Sequence, residues 1–311
     1  MLSTLGLTLV LGVVLVNGFT DAPSSIATAV CSGALKMKHA TLVCAIFNFL
    51  GVVIASLLNN KIARFVFSLS ADKNSSEAIA IVTLLSVIIF GIACYFLALP
   101  SSESHALICS AIGASFFATS SLDGIKRAGY VFVFMLISNF VALFASLISR
   151  RLLPPFLPYK RLQILSCSLT SFMHGWQDGQ KLLGIALAIT MTGSDIPLYL
   201  IFLVAITMAL GSLLGGKRII KTMGNDLVLL NDFSAFCSDI GAYITLFIFS
   251  AFGAPLSTGN VKALAIVGAG IGDGKKINKK ATAKVFLASV ATFPICFLLG
   301  YLLSMLLCNI L

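Results

Sequence analysis

The chain has 311 residues, of which 59% are hydrophobic and only 10% are charged. Soluble domains carry about a quarter charged residues, so this composition excludes a water-soluble globular protein. The net charge of +10 does not indicate a nucleic-acid partner, because the basic residues cluster in short connections between apolar segments, as in membrane proteins.

The first half of the chain predicts a broken helix, a plain span and a hairpin. Residues 2–35 exceed the roughly 20 that one straight span needs, and Asp21 and Pro23 interrupt them. We therefore expect a discontinuous helix with Asp21 as an N-cap. The later features are a span at 39–58, a basic connector at 61–64, a helical hairpin around the Pro-Ser motif at 99–106, and a closing span that ends near 150.

The second half repeats this order. Residues 174–178 match 17–21 at an offset of 157, and residues 254–261 match 99–106 at an offset of 155. We expect a second broken helix over 162–192, followed by a plain span at 197–214. These matches predict one membrane domain made of repeat one (1–150) and repeat two (160–311), joined by a polar, Pro-rich segment.

The basic residues predict how the repeats are oriented. If both hairpins are re-entrant, each half crosses the membrane three times, and the two halves are inverted relative to each other. Fourteen of the 21 Lys and Arg residues then lie on one side and five on the other. The richer side is expected to be cytoplasmic and both termini outside. The predicted fold is an all-α polytopic membrane protein with two inverted-topology repeats, each with a broken helix and a re-entrant helical hairpin.

Broken helices at matching positions of inverted repeats are typical of transport sites. A helix that begins within the membrane offers free backbone N–H groups and a partial positive charge, which suit an anion. Asp21 and Asp178 lie beside two of these breaks, yet a carboxylate is unsuited to a site for an anion alone. We therefore predict cotransport of an oxyanion with a cation, either Na⁺ held by Asp21 and Asp178 or protons that neutralise them.

Other polar residues near the breaks have two interpretations each. Ser102 and Ser257 are expected to cap helices or to bind the anion. Glu103 and Asp239 suit either cation sites or structural ion pairs. Lys181 and Lys262 lie in apolar segments, where a lysine either faces a polar site or extends to the membrane interface.

Four linked motifs resemble the inorganic phosphate transporter (PiT) family over almost the whole chain. They are Asn17-Gly18-Phe19-Thr20-Asp21, His174-Gly175-Trp176-Gln177-Asp178-Gly179-Gln180-Lys181, the segment 216–224, and Pro255-Leu256-Ser257-Thr258. The resemblance implies a secondary transporter that moves phosphate with Na⁺ or H⁺, often as a homodimer. The chain departs from the family pattern where Thr20 and Gln177 replace an Asn, and at Glu103-Ser104-His105 and Thr258-Gly259-Asn260.

The residues and the resemblance together define the expected site. Substrate contacts are expected from Ser24, Ser102, Ser104, Gln180, Lys181, Ser257 and Thr258. Cation coupling is expected from Thr20, Asp21, Glu103, Gln177, Asp178 and Asp239, with Asp21 and Asp178 as the metal ligands if the coupling ion is Na⁺.

Two other functions remain open at this point, and a third is disfavoured. A sulfate or other oxyanion permease would share the fold, because the family includes sulfate permeases, and a passive anion channel is a further alternative. An intramembrane enzyme is disfavoured, because no HExxH, paired cysteine ligands or nucleophile elbow occurs. The expected partners are phosphate or sulfate, the lipid bilayer of the plasma membrane and a second copy of the chain. No nucleic acid is expected, and no cofactor besides Na⁺ or H⁺.

Overall fold

The computed structural model describes residues 2–70, 76–96, 102–119, 123–190 and 196–307, which are helical throughout apart from short connections. In chain order the helices are α1 (Leu2–Thr20), α2 (Ala27–Cys31), α3 (Met37–Leu58), α4 (Lys61–Ser70), α5 (Ser76–Phe96), α6 (Glu103–Thr119), α7 (Asp123–Leu152), α8 (Tyr159–Thr190), α9 (Leu198–Leu214), α10 (Lys217–Lys221), α11 (Asp232–Ala251), α12 (Thr258–Gly272) and α13 (Lys279–Leu307). Six helical segments of the described chain are long and apolar enough to cross a membrane.

A bent pair in the second half could supply a seventh span. α9 and the segment Lys217–Asp226 meet at 67°. The bend follows Gly215, which has a φ of +66°, a conformation that costs glycine no steric penalty.

The predicted helix break is confirmed in the first half. α1 ends at Thr20, and a 3₁₀-helix over Ala22–Ile26 leads into α2. Pro23 lies in the first turn of the 3₁₀-helix, where its missing N–H costs no hydrogen bond. The predicted N-cap role of Asp21 is wrong, because its side chain makes no capping bond and instead contacts a helix of the other half.

The predicted break in the second half is wrong. α8 continues without interruption past Asp178 to Thr190. Gly179 and Gln180 occupy the places that Ala22 and Pro23 occupy in the first half. Both retain a backbone N–H, so the helical hydrogen bonds continue through the repeat-equivalent position.

The two halves pack against each other reciprocally. α3 packs on α8, and its counterpart α9 packs on α1. Likewise α6 packs on α13, and its counterpart α12 packs on α7. Pairs that exchange in this way are expected from halves related by a pseudo-twofold axis, as in inverted-repeat transporters. The division into 1–150 and 160–311 remains a prediction.

The second hairpin, α11–α12, returns to the end of the helix bundle from which it starts. Asn231, the N-cap of α11, donates from Nδ2 to Asp273 Oδ2 just after α12 at 3.3 Å. Arg150 at the end of α7 pairs with the same carboxylate at 2.7 Å. Burial raises the pKa of the Asp273 carboxyl, but the hydrogen bonds and the positive charge of Arg150 hold that pKa below its ordinary value.

The first hairpin pairs α5 with α6, which pack together. Residues 99–101 of its Pro-Ser motif lie outside the described residues. Ser102, the next residue of the motif, directly precedes α6.

Close helix crossings at glycines hold the halves together. A Cβ added to Gly51 on α3 would lie 2.1 Å from the carbonyl oxygen of Phe172 on α8. In the reciprocal pair, a Cβ on Gly211 of α9 would lie 2.4 Å from the carbonyl oxygen of Leu15 on α1. Small residues that let two backbones approach are typical of membrane helix interfaces.

Gly51→Ala is therefore expected to destabilise the protein by about 1–3 kcal/mol, because the added methyl group would force α3 and α8 apart. The measurement is thermal unfolding of the purified protein in detergent. Gly12→Ala is the matched control, because a Cβ there meets nothing within 4 Å. Equal melting temperatures for the two variants would contradict the close α3–α8 crossing.

Candidate functional site

Asp178 lies at the centre of a buried polar cluster. Its Oδ1 accepts from Lys181 Nζ at 2.6 Å and from Ser104 Oγ at 3.2 Å. Its Oδ2 accepts from Asn17 Nδ2 at 3.2 Å and from Thr258 Oγ1 at 3.4 Å. The donors belong to α1, α6, α8 and α12, so this one carboxylate links both halves and both hairpins.

Asp21 joins Asp178 in the same cluster. Thr258, the first residue of α12, donates to Asp21 Oδ2 at 3.2 Å and also lies within reach of Asp178. His174 Nε2 lies 3.2 Å from Asp178 Oδ2. One ligand atom from each of Asp21, His174 and Asp178 lies within 4.8 Å of the others, so these three side chains could hold a metal ion. The repeat-equivalent aspartates therefore converge on one place.

Lys181 is buried in the cluster and does not extend to the membrane interface. Its side chain is only 1% exposed. The ammonium donates to Asp178, to Ser104 Oγ at 2.6 Å and to the backbone carbonyl of Leu256 in the break between α11 and α12. Lys181 therefore connects the first residues of one hairpin helix with the turn of the other hairpin.

Glu103 is buried beside this cluster. One of its oxygens contacts the Thr20 hydroxyl, which also lies 2.8 Å from the carbonyl oxygen of Val16. The other oxygen has no hydrogen-bond partner among the described residues. A buried carboxylate oxygen without a partner is costly, so this position favours a proton or a cation.

Gln177 holds the turn of the second hairpin. Its Nε2 donates to Ser250 Oγ at 2.8 Å and to the carbonyl of Ala254 at 3.2 Å, and its Oε1 accepts from the backbone N–H of Leu256 at 3.0 Å. Both polar atoms are thus engaged by the hairpin. The structure does not bring Gln177 to the two aspartates as a cation ligand, because on the continuous helix its side chain points toward α11.

The predicted substrate-contact residues divide between the cluster and its surroundings. Ser104, Lys181 and Thr258 belong to the cluster, whereas Gln180 Oε1 accepts from Ala63 N on α4 at 3.4 Å. Ser257 caps α12 by accepting from Asn260 N at 3.4 Å, as predicted. The Ser102 hydroxyl contacts Nδ1 of His105, and Ser24 is buried in the 3₁₀-helix.

Asp239 forms a separate buried cluster with Lys262, which is 2% exposed and does not extend to the membrane interface. The carboxylate pairs with the Lys262 ammonium and accepts from Thr28 Oγ1 and Ser166 Oγ, each at 2.7 Å. Among the described residues, Asp239 has no contact with Asp21 or Asp178. Its surroundings therefore favour the structural ion pair over the cation site.

Asp239→Asn is expected to destabilise the protein by about 3–5 kcal/mol, because it leaves the Lys262 ammonium buried without its counter-charge. Thermal unfolding in detergent measures the loss. The double variant Asp239→Leu/Lys262→Met removes both charges and should recover most of it. If Asp239→Asn alone unfolds like the unmodified protein, the ion pair does not stabilise the fold.

Two residues of the cluster were not among the predicted site residues. Asn17 and His174 both occur in the repeated motifs, at equivalent positions. His174 precedes Asp178 by four residues, and this spacing places both on one face of a helix. Asn48 on α3 lies 2.9 Å from His174 Nδ1, a contact between distant segments that no sequence pattern indicates.

A cavity beside Asp178 has room for about one water molecule. Its walls contain three apolar and five polar side chains: Val13, Asn17, Glu103, Ser104, Leu107, Asp178, Lys181 and Leu182. Binding of an oxyanion here therefore requires the surrounding helices to separate.

Sequence comparison identifies relatives over both halves of the chain. A profile of the phosphate transporter family matches residues 17–158 and 150–300. The chain is 29% identical over 304 residues to a "probable low-affinity inorganic phosphate transporter" of Bacillus subtilis, covering 92% of this chain and 91% of the relative. A protein of the same description from Rhizobium meliloti is 32% identical over 272 residues, covering 82% of this chain and 80% of the relative.

Structural comparison identifies a solved structure with the same fold. The structure described as "the sodium-dependent phosphate transporter" superposes with a TM-score of 0.86 at 16% identity, covering both chains completely. At this level of identity the likeness concerns the fold.

Proposed function

Because the chain belongs to the phosphate transporter family, we propose that it carries inorganic phosphate across the membrane together with a cation. It is a multi-pass membrane protein and a transport protein, not an enzyme. The bacterial relatives named above are described as inorganic phosphate transporters, which favours phosphate as the cargo.

The net negative charge of the buried cluster is the observation that supports coupling to a cation. Asp21, Glu103 and Asp178 are each at most 4% exposed, and Lys181 is the one lysine or arginine of the described chain paired with any of them. With all three carboxylates ionised, the cluster has a net charge of −2. Phosphate, itself an anion, would be repelled unless cations neutralise part of this charge.

Either coupling ion would bind between the two repeats. Na⁺ would take carboxylate oxygens of Asp21 and Asp178 and the Thr258 hydroxyl, which lie together. A proton would instead neutralise Asp21 or Glu103, which have no lysine or arginine partner among the described residues. Phosphate would contact Ser104, Lys181 and Thr258 once the hairpins separate.

Transport would proceed by alternating access, in which the two inverted repeats move against each other around the central cluster. The cavity at Asp178 is small and lined by buried side chains, which favours this mechanism over a passive channel that would need a continuous pore. Sulfate remains the alternative cargo, because hydroxyl and ammonium donors suit either oxyanion. We further propose a homodimer in the plasma membrane with both termini outside.

The test is uptake of radiolabelled phosphate into proteoliposomes with an imposed Na⁺ or H⁺ gradient and excess unlabelled sulfate as competitor. Phosphate accumulation that follows one gradient and resists sulfate is the expected result, and it identifies the coupling ion. Accumulation of labelled sulfate in place of phosphate would reassign the cargo. Phosphate flux without gradient coupling or saturation would instead favour a channel.

A further inference from the structure

We propose that phosphate passes between the Asp178 cluster and one membrane face along a buried polar seam, an inference that rests on the transport function proposed above. The polar seam consists of Gln163, Ser166, Thr170 and Ser171 on α8 and of Ser25, Thr28 and Ser32 on the segment that follows the Asp21 break. All of these side chains are buried except Ser32, which is half-buried.

The α8 side of the polar seam follows helical spacing. Gln163, Ser166, Thr170, His174 and Asp178 recur at intervals of three or four residues, so they share one face of the helix. This face leads directly to the central carboxylate. A stripe of this kind on a membrane helix avoids lipid and marks a polar path or a packed interface.

Hydrogen bonds between hydroxyl groups close the polar seam in this conformation. The Ser25 and Ser171 hydroxyls lie 2.8 Å apart, and Thr170 Oγ1 donates to the carbonyl of Ser25 at 3.0 Å. Nearer the surface, Ser32 Oγ donates to Gln163 Oε1 at 2.6 Å. Each bond can be exchanged for one to water or to an oxyanion, because a hydroxyl both donates and accepts.

One side chain of the polar seam lacks a partner. Gln163 is 0% exposed, and its Nε2 has no hydrogen-bond partner among the described residues. A buried amide donor without an acceptor is costly, and an oxyanion moving through the seam would supply that acceptor. The Lys262–Asp239 ion pair, bonded to Thr28 and Ser166, lies beside the same path and adds no net charge to it.

Among the described residues, α8 is apolar in the opposite direction from the cluster. Beyond Lys181, α8 continues with buried Leu182, Leu183 and Ile185, which belong to one core cluster with Val10 and Val14 of α1. A hydrated anion cannot enter such a region without a large desolvation cost. The structure therefore assigns the phosphate route on this side of the cluster to the polar seam, and the apolar core closes the opposite side in this conformation.

The outer end of the polar seam is basic. Lys36 and Lys38 follow Ser32 in the chain, and Lys160 and Arg161 precede Gln163; all four are exposed. A cluster of positive charge at the mouth of a path attracts anions and raises their local concentration.

Native cysteines provide the test. Cys44 Sγ lies 3.6 Å from Ser25 Oγ in the polar seam, and Cys109 lies in the apolar core cluster. Both are nearly fully buried. A membrane-impermeant, negatively charged methanethiosulfonate is applied to one side of membrane vesicles, and mass spectrometry measures modification of each cysteine. An impermeant amine reagent that labels Lys36 and Lys38 identifies the side.

We expect Cys44 to react about tenfold faster during phosphate transport than without phosphate, because transport populates an open state that is otherwise rare. The reaction should occur only from the side of Lys36 and Lys38, and Cys109 should not respond. Modification of Cys44 from the opposite side, faster modification of Cys109, or no modification of Cys44 while phosphate is transported would each overturn the route. Absence of phosphate transport would instead overturn the proposed function.

A matched pair of variants gives a second measurement. Thr170→Val removes a seam hydroxyl and is expected to slow phosphate turnover about fivefold, the equivalent of one hydrogen bond. Thr245→Val removes an equally buried hydroxyl on α11 that bonds only to the carbonyl of Gly241 in its own helix, and should not slow turnover. Equal turnover in the two variants would count against the polar seam.

Discussion

Asp178→Asn is expected to abolish phosphate uptake and also to destabilise the protein by about 3–5 kcal/mol. The carboxylate is the counter-charge of Lys181 at 2.6 Å, and both side chains are buried. Asparagine keeps the shape but leaves the ammonium unpaired. The cluster also loses one of its two acceptor oxygens, either that of Ser104 or that of Asn17 and Thr258, because asparagine has a single side-chain oxygen.

Uptake into proteoliposomes and thermal unfolding in detergent measure the two effects separately. The double variant Asp178→Asn/Lys181→Met removes the stranded charge, so it should recover most of the stability but none of the uptake. Normal uptake in Asp178→Asn would exclude this carboxylate from the transport site. Unchanged unfolding would mean that the Asp178–Lys181 pair does not stabilise the fold.

Asp21→Asn is expected to abolish gradient-driven phosphate uptake while leaving the melting temperature almost unchanged. Among the described residues no lysine or arginine pairs with Asp21, whose carboxylate accepts only from Thr258. The substitution therefore strands no buried charge. It does remove the negative charge that would hold Na⁺ or a proton.

The measurement is phosphate uptake with and without the coupling gradient, beside unfolding in detergent. Asp226→Asn is the matched control, because it makes the same change at an exposed position and should not alter either result. Gradient-driven uptake at the normal rate in Asp21→Asn would remove Asp21 from the coupling site. A large loss of stability would show that Asp21 has a structural partner.

These two predictions differ although Asp21 and Asp178 are repeat equivalents. The difference arises from Lys181, whose equivalent in the first repeat is Ser24 at the same offset. Lys181 thus neutralises Asp178 within the protein, and we propose that Asp21 is the aspartate that takes the external cation. Duplication produced two equivalent carboxylates, and a single lysine separates their roles.

The wrong prediction of a helix break in the second repeat has a cause that can be read from the sequence. Pro23 has no counterpart after Asp178, so the second repeat lacks the residue that disrupts the helical hydrogen bonds. Once α8 is continuous, Gln177 and Gln180 lie about 100° and about 160° around the helix from Asp178, because successive residues turn by about 100°. Their contacts with the second hairpin and with α4 follow from that rotation.

The sequence by itself determined the membrane class, the helical fold and the duplication. The hydropathy and length of an apolar segment depend only on residues that are adjacent in the sequence, and repeated motifs can be read directly from it. It also identified Asp21 and Asp178 as a pair, because both repeats place a carboxylate at the same position.

Only the tertiary structure decided which partner each buried charge has. Asp239 meets Lys262, Thr28 and Ser166, and Asp178 meets Lys181, Asn17 and Thr258, although many of these residues are far apart in the chain. The energy of a buried charge depends on the few atoms within hydrogen-bonding distance. Those distances are set by how helices from the two halves cross, which no local pattern of residues encodes.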